Sequence, residues 1–128
     1  MKIESSVIRI ERNANDLFTF LKNPANFEQL MPDDIAHFSS SEDGFKFALK
    51  GMPEVKLKKE EEIAPSKIVF GSAGSVSFQL IGELKEVDDT HCDAQLFVTG
   101  NFNPMLRMMV ERPLKSFISK NEEKLKAL

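Results

Sequence analysis

Residues 103–128 read NPMLRMMVERPLKSFISKNEEKLKAL, and no other stretch limits the fold of this chain as much. Asn103 can cap a helix with its side-chain oxygen, and Pro104 suits the first helical position, where no backbone donor is needed. Projected at about 100° per residue, Leu106, Met109, Val110, Pro113, Leu114, Phe117, Ile118, Leu125 and Leu128 share one broad face. Arg107, Glu111, Arg112, Lys115, Ser119, Glu122 and Glu123 lie mostly around the other. A long helix with such a face needs a large apolar partner, and the middle of the chain is the only candidate.

From residue 35 the apolar period changes to two, with turn residues at hairpin intervals. This predicts strands at residues 35–40, 45–50, 55–63, 67–72, 76–87 and 91–102. Asp43-Gly44, Gly51, Ala64-Pro65, Gly74 and Asp88-Asp89 mark the turns. Alternation turns Phe45, Phe47, Leu49, Val55, Leu57, Ile68, Phe70, Val76, Phe78, Leu80, Leu84, Leu96, Val98 and Phe102 to the concave side. Gly82 and Gly100 share that phase and permit a bend or the close approach of a helix.

Before the meander, residues 6–11 alternate as a first strand. Asn13 caps a short helix carrying Leu17, Phe18, Phe20 and Leu21, and Asn23-Pro24 ends it. A second short helix follows, with Phe27, Leu30 and Met31 on its buried side and Pro32 at its end. The expectation is one α+β domain over residues 1–128. A curved antiparallel sheet of about seven strands, in the order β-α-α-β-β-β-β-β-β-α, wraps the long C-terminal helix.

Charge and composition exclude several functions. With 41% hydrophobic and 29% charged residues the chain reads as a soluble globular protein. A net charge of −3, mixed in sign along the chain, gives no concentrated basic face for nucleic acid. No apolar run reaches signal-peptide or membrane-spanning length, so neither secretion nor integral membrane association is expected. The one cysteine, Cys92, forms no internal disulfide and suits the cytoplasm. Eleven Phe with no Tyr or Trp give an interior of bulk without polar handles.

Few side chains suggest chemistry. His37 and His91 belong to no cluster with metal-ligand spacing, so neither metal nor cofactor is expected. Cys92 has only His91 beside it, which alternation sends to the opposite face. GSAGS at 71–75 lacks a following helix or lysine and reads as a hairpin turn. Alternation from Val55 and Leu57 carries Lys59 and Glu61 inward as a polar pair at a cavity mouth, unless a bulge turns them outward. Met105, Met108 and Met109 offer an adaptable apolar lining or plain gap filling, with Met109 on the buried face. Pro113 should bend the helix, as a static kink more readily than as a lid hinge.

The opening SSVIRIERNANDLFTFLKNPANFEQLMP and the ending NPMLRMMVERPLKSF resemble members of the START/SRPBCC superfamily, whose helix-grip fold is also called birch-pollen-allergen-like. The resemblance spans the chain and is one of pattern and architecture. It implies a cavity between the sheet and the last helix for a lipid, quinone, polyketide or similar hydrophobic molecule. Phe47, Leu49, Leu57, Phe70, Phe78, Leu80, Leu96, Val98, Met105, Met109 and Phe117 would line it, with Lys59 and Glu61 at one end. A carrier of a hydrophobic small molecule is therefore the leading expectation. A cyclase or hydrolase using Glu61, Lys59 or His37, and a protein-interaction module docking by a sheet edge or the Met108 region, are the alternatives; a weak homodimer or a protein partner goes with the last.

Overall fold

The computed structural model describes residues 1–72 and 76–128; the turn expected at Gly74 lies outside the described residues. In chain order they form β1 (Lys2–Glu4), β2 (Ile8–Ile10), α1 (Ala14–Lys22), a 3₁₀ helix (Pro24–Leu30), β3 (His37–Ser40), β4 (Gly44–Ala48), β5 (Val55–Ile63), β6 (Lys67–Ser72), β7 (Gln79–Asp88), β8 (His91–Thr99) and α2 (Pro104–Lys126). The strands make one antiparallel eight-stranded sheet in the order β1-β8-β7-β6-β5-β4-β3, and β2 also pairs with β8.

The helix starts follow the capping residues. Asn13 Oδ1 accepts the Asp16 N–H at 2.9 Å, and Asn103 Oδ1 accepts the Leu106 N–H at 2.8 Å. Asn23 ends α1 and caps the 3₁₀ helix, accepting the Ala25 N–H at 3.2 Å. The meander runs as predicted, with shorter strands: β7 begins at Gln79 and β8 ends at Thr99.

Sequence alternation missed β1. Its three residues hold one apolar side chain, Ile3, too few to show a period. Residues 5–7 separate it from β2 with a one-residue shift in register against β8, and the hydroxyl of the buried Ser5 accepts the Leu96 N–H at 2.9 Å, standing in for the ladder. The backbone oxygen of Ser5 accepts the Gln95 side-chain amide at 2.9 Å, so the shift leaves neither group unpaired.

One face of the sheet holds the core. Its inward rows cross from Ile3 through Val98 and Leu80 to Phe70, and from Leu96 through Gly82 to Ile68. Gly82 does serve close approach, but to α1: a Cβ there would stand 3.3 Å from Ile68 and 3.8 Å from Leu21. On α2 the buried residues are Val110, Leu114, Phe117, Ile118, Asn121 and Leu125. Polar groups fix this helix in place. Asn121 donates to the Leu30 carbonyl at 2.7 Å, Lys124 meets Asp33 at 2.6 Å, and Glu122 accepts the Ser6 N–H at 2.8 Å.

The Ser6 N–H holds the Glu122 carboxyl below its ordinary 4.5, and Lys126 adds to this. A depressed carboxylate stabilises the fold above its unfolded pKa, and that contribution disappears as pH falls through the folded value. Urea denaturation from pH 6 down to pH 3 should therefore show a loss of stability beginning below 4.5 that is smaller in Glu122→Gln.

Candidate functional site

The sheet, α1, the 3₁₀ helix and α2 all turn their apolar sides to one space. Phe47, Leu49, Leu57, Phe70, Phe78, Leu80, Leu96, Val98 and Phe117, the residues expected to converge there, are buried members of one contiguous cluster. Phenylalanine rings fill much of it. Phe27 stacks on Phe45 at 4.8 Å, Phe70 stands edge-on to both, and Phe47 stacks on Phe117 at 5.1 Å and 5°. In this closed arrangement the interior is packed by its own side chains.

Other expected site residues sit elsewhere. Met105 and Met109 are 77% and 57% exposed, as is Met108 at 84%, so the expectation that Met109 lies on the buried face is corrected. The buried stripe of α2 is only about 100° wide and runs along Val110, Leu114, Phe117, Ile118, Asn121 and Leu125; Met109 falls outside it. The inward polar pair is corrected too. A bulge between Lys59 and Glu61 breaks the alternation, Glu61 is exposed, and Lys59 pairs with Glu62 at 2.7 Å.

The bulge instead aims Glu60 across the sheet. Its carboxylate lies over Gly71, where a Cβ would stand 2.3 Å from the Glu60 side chain, and accepts the Gln79 amide at 2.9 Å. Only a glycine lets it lie so close. Glu60, Gln79, Ser72, Ser77, Phe78 and Thr99 border an open cleft of about 630 Å³ that alternation did not indicate. The signal available in the sequence was the unbroken KKEEE run at 58–62, in which strict alternation would carry every second charge inward.

His37 lies 2.9 Å from Glu54 with both side chains about half exposed, away from the interior. Cys92 is buried opposite Ile10, and burial pushes its thiol pKa up, which keeps it protonated and unreactive. Among the described residues no group of three or more His, Cys, Asp or Glu is placed to share a metal ion. No helix among them is long and apolar enough to cross a membrane.

Several connections gather at the end of the sheet where α2 begins. The 49–54 connection, residues 76–78 and the 100–103 connection all lie there, since the strands they join run antiparallel. Met52, Phe102 and Leu106 are half-buried at the margin of the core, and Met105, Met108 and Met109 follow on the first turns of α2.

No protein-family model and no curated protein sequence matches the chain. Solved structures do. A START superfamily protein from Mycobacterium smegmatis is 7% identical over 98% of this chain and 97% of that one, with a TM-score of 0.65. Norcoclaurine synthase from Thalictrum is 12% identical over 99% of this chain and 92% of that one, with a TM-score of 0.73. The Aha1 dimer from Colwellia psychrerythraea is 13% identical over 98% of this chain and 96% of that one, with a TM-score of 0.62. At these identities the likeness establishes the fold, an α+β helix grip, in agreement with the resemblance seen in the sequence.

Removing a ring from the interior tests how tightly it is filled. Phe47→Ala and Phe70→Ala should each cost about 3–5 kcal/mol in urea denaturation, the range for a packed core, whereas Met109→Ala should stay within about 0.5 kcal/mol.

Proposed function

We propose that the protein binds a hydrophobic small molecule of lipid, quinone or polyketide type between the sheet and α2, and works as a carrier. Residues 1–128 act in this reading as one domain, in the cytoplasm, where the lone thiol of Cys92 stays reduced.

The observation that carries the proposal is the placement of Met105, Met108 and Met109, all exposed, at the end of an interior lined by apolar residues. Contiguous exposed apolar side chains are costly in water and mark a place where an apolar molecule is met. Methionine is suited to this, because its unbranched thioether adapts to irregular shapes. Pro113 supplies a weak point, since without its N–H the Met109 carbonyl loses its helical donor. Lifting the turns before Pro113 would open this end of the interior and admit the ligand; the proline then serves as a hinge. The same fold holds a transition-state analogue in norcoclaurine synthase, so the architecture accommodates small organic ligands. The sparse acid–base equipment of the interior favours carriage over catalysis.

The same methionines favour a second reading, a protein-interaction module that uses them as a docking surface. Titration with a fluorescent lipophilic probe separates the two. Saturable binding, displaced by a fatty acid and by a quinone, is the expected result. Replacing all three methionines by Gln should weaken it about tenfold, ~1.4 kcal/mol, while leaving the melting temperature unchanged. A protein that takes up no probe overturns the carrier reading.

A further inference from the structure

The free edge of β1 has an unusual symmetry. Its neighbour β8 takes the odd residues: Met1 exchanges bonds with Gly100 at 2.7 and 3.0 Å, and Ser5 donates to Leu96 at 2.9 Å. The N–H and C=O groups of Lys2 and Glu4 therefore point away from the sheet. The next outward N–H, that of Ser6, is capped by Glu122 of α2. Lys2, Ile3, Glu4, Lys115, Ile118 and Glu122 line the resulting groove of about 370 Å³ between strand and helix.

Charge along this groove reverses about its middle. On the strand Lys2 and Glu4 flank Ile3 and turn to the face of the sheet away from α2, where Lys2 lies over the Phe97 ring at 4.8 Å, and on the helix Lys115 and Glu122 flank Ile118 and Ser119. Strand and helix both run from the end where α2 begins, so the two lysines lie toward that end and the two glutamates toward the other. Edge strands are commonly guarded by charges of one sign, which repel a second copy. A lysine and a glutamate placed symmetrically about an apolar residue do the opposite: turned by a two-fold axis, the groove is complementary to itself.

We propose that this edge is a homodimer interface in which β1 of one protomer pairs antiparallel with β1 of its partner, centred on Ile3. Lys2 then faces the partner's Glu4, and Glu4 faces the partner's Lys2. Both are hydrogen-bonded positions, because the outward groups belong to Lys2 and Glu4, and the two pairs exchange about four backbone bonds. The sheet continues through the axis. The two α2 helices come side by side, Lys115 opposite the partner's Glu122. The other edge, β3, offers no such match: it carries His37, Phe38, Ser39 and Ser40, and behind it Lys46 and Lys56 are direct cross-strand partners with no ion pair among the described residues. β3 itself carries no lysine–glutamate pair that a two-fold axis could match.

Sedimentation equilibrium of the full chain, with Lys2→Glu, Glu4→Lys and the double swap, tests this. The parent should show a reversible monomer–dimer equilibrium that weakens as salt rises, since the pairs are exposed. Each single reversal should raise the dimer dissociation constant about tenfold or more by creating like-charge pairs. The double swap should restore it, as should mixing the two single variants. Glu4→Pro removes an outward N–H without touching the β8 ladder and should also weaken association. Circular dichroism confirms that each variant is folded, and if a single reversal is not, the double swap and Glu4→Pro still decide. A protein monomeric at millimolar concentration, or a dimer indifferent to the single reversals and to Glu4→Pro, overturns the proposal.

Discussion

Everything in this molecule depends on giving the narrow apolar stripe of α2 something to lie on. The contact that does so is the offset parallel stack of Phe117 on Phe47, with centroids 5.1 Å apart, which joins the helix to β4. Around it Phe45, Phe70 and Phe27 meet in offset and edge-on pairs, the arrangements that suit ring quadrupoles. Because the interior uses Phe in place of Tyr or Trp, it brings in no hydroxyl or indole N–H that would need a partner. The polar side chains buried among the described residues, Ser5 and Asn121, are each hydrogen-bonded, so none of them is left unpaired in the core.

The fold was legible in the sequence wherever a repeating pattern ran long enough to be read. Strands β4, β7 and β8 largely repeat every second residue over five to ten positions, and α2 repeats over 23, so both announced themselves. The caps at Asn13, Asn23 and Asn103 were equally plain, since each combines a side-chain acceptor with a chain that changes direction. What escaped was short or compensated locally. β1 has three residues, and the shift after it is held by a serine hydroxyl that substitutes for a ladder bond, an arrangement with no periodic trace.

The candidate site was legible in part, and the division has a physical cause. Alternation correctly sent Phe47, Phe70, Leu80 and Val98 inward, because a pleated strand allows its side chains no other directions. It failed at Glu61, where one extra residue in the β5 ladder shifts every later side chain, whereas Lys59, ahead of the bulge and opposite the inward Phe70, keeps its phase and is half-buried. It also failed at Met109, where a helical projection ranks residues by angle but does not say how wide the buried stripe will be. The sheet decides that width, and above its end there is no strand left to cover the first turns of α2.

Asn121 deserves its place at the centre of the buried stripe. An apolar stripe alone permits a helix to roll by some tens of degrees with modest loss, since one aliphatic contact replaces another. An amide bonded to the Leu30 carbonyl does not permit it, because rolling would leave both groups buried and unbonded. This side chain therefore acts as an azimuthal lock. By fixing the roll of α2 it also determines that the methionines of the first turns face outward, so a single buried hydrogen bond near one end of the helix sets the chemical character of the surface at the other.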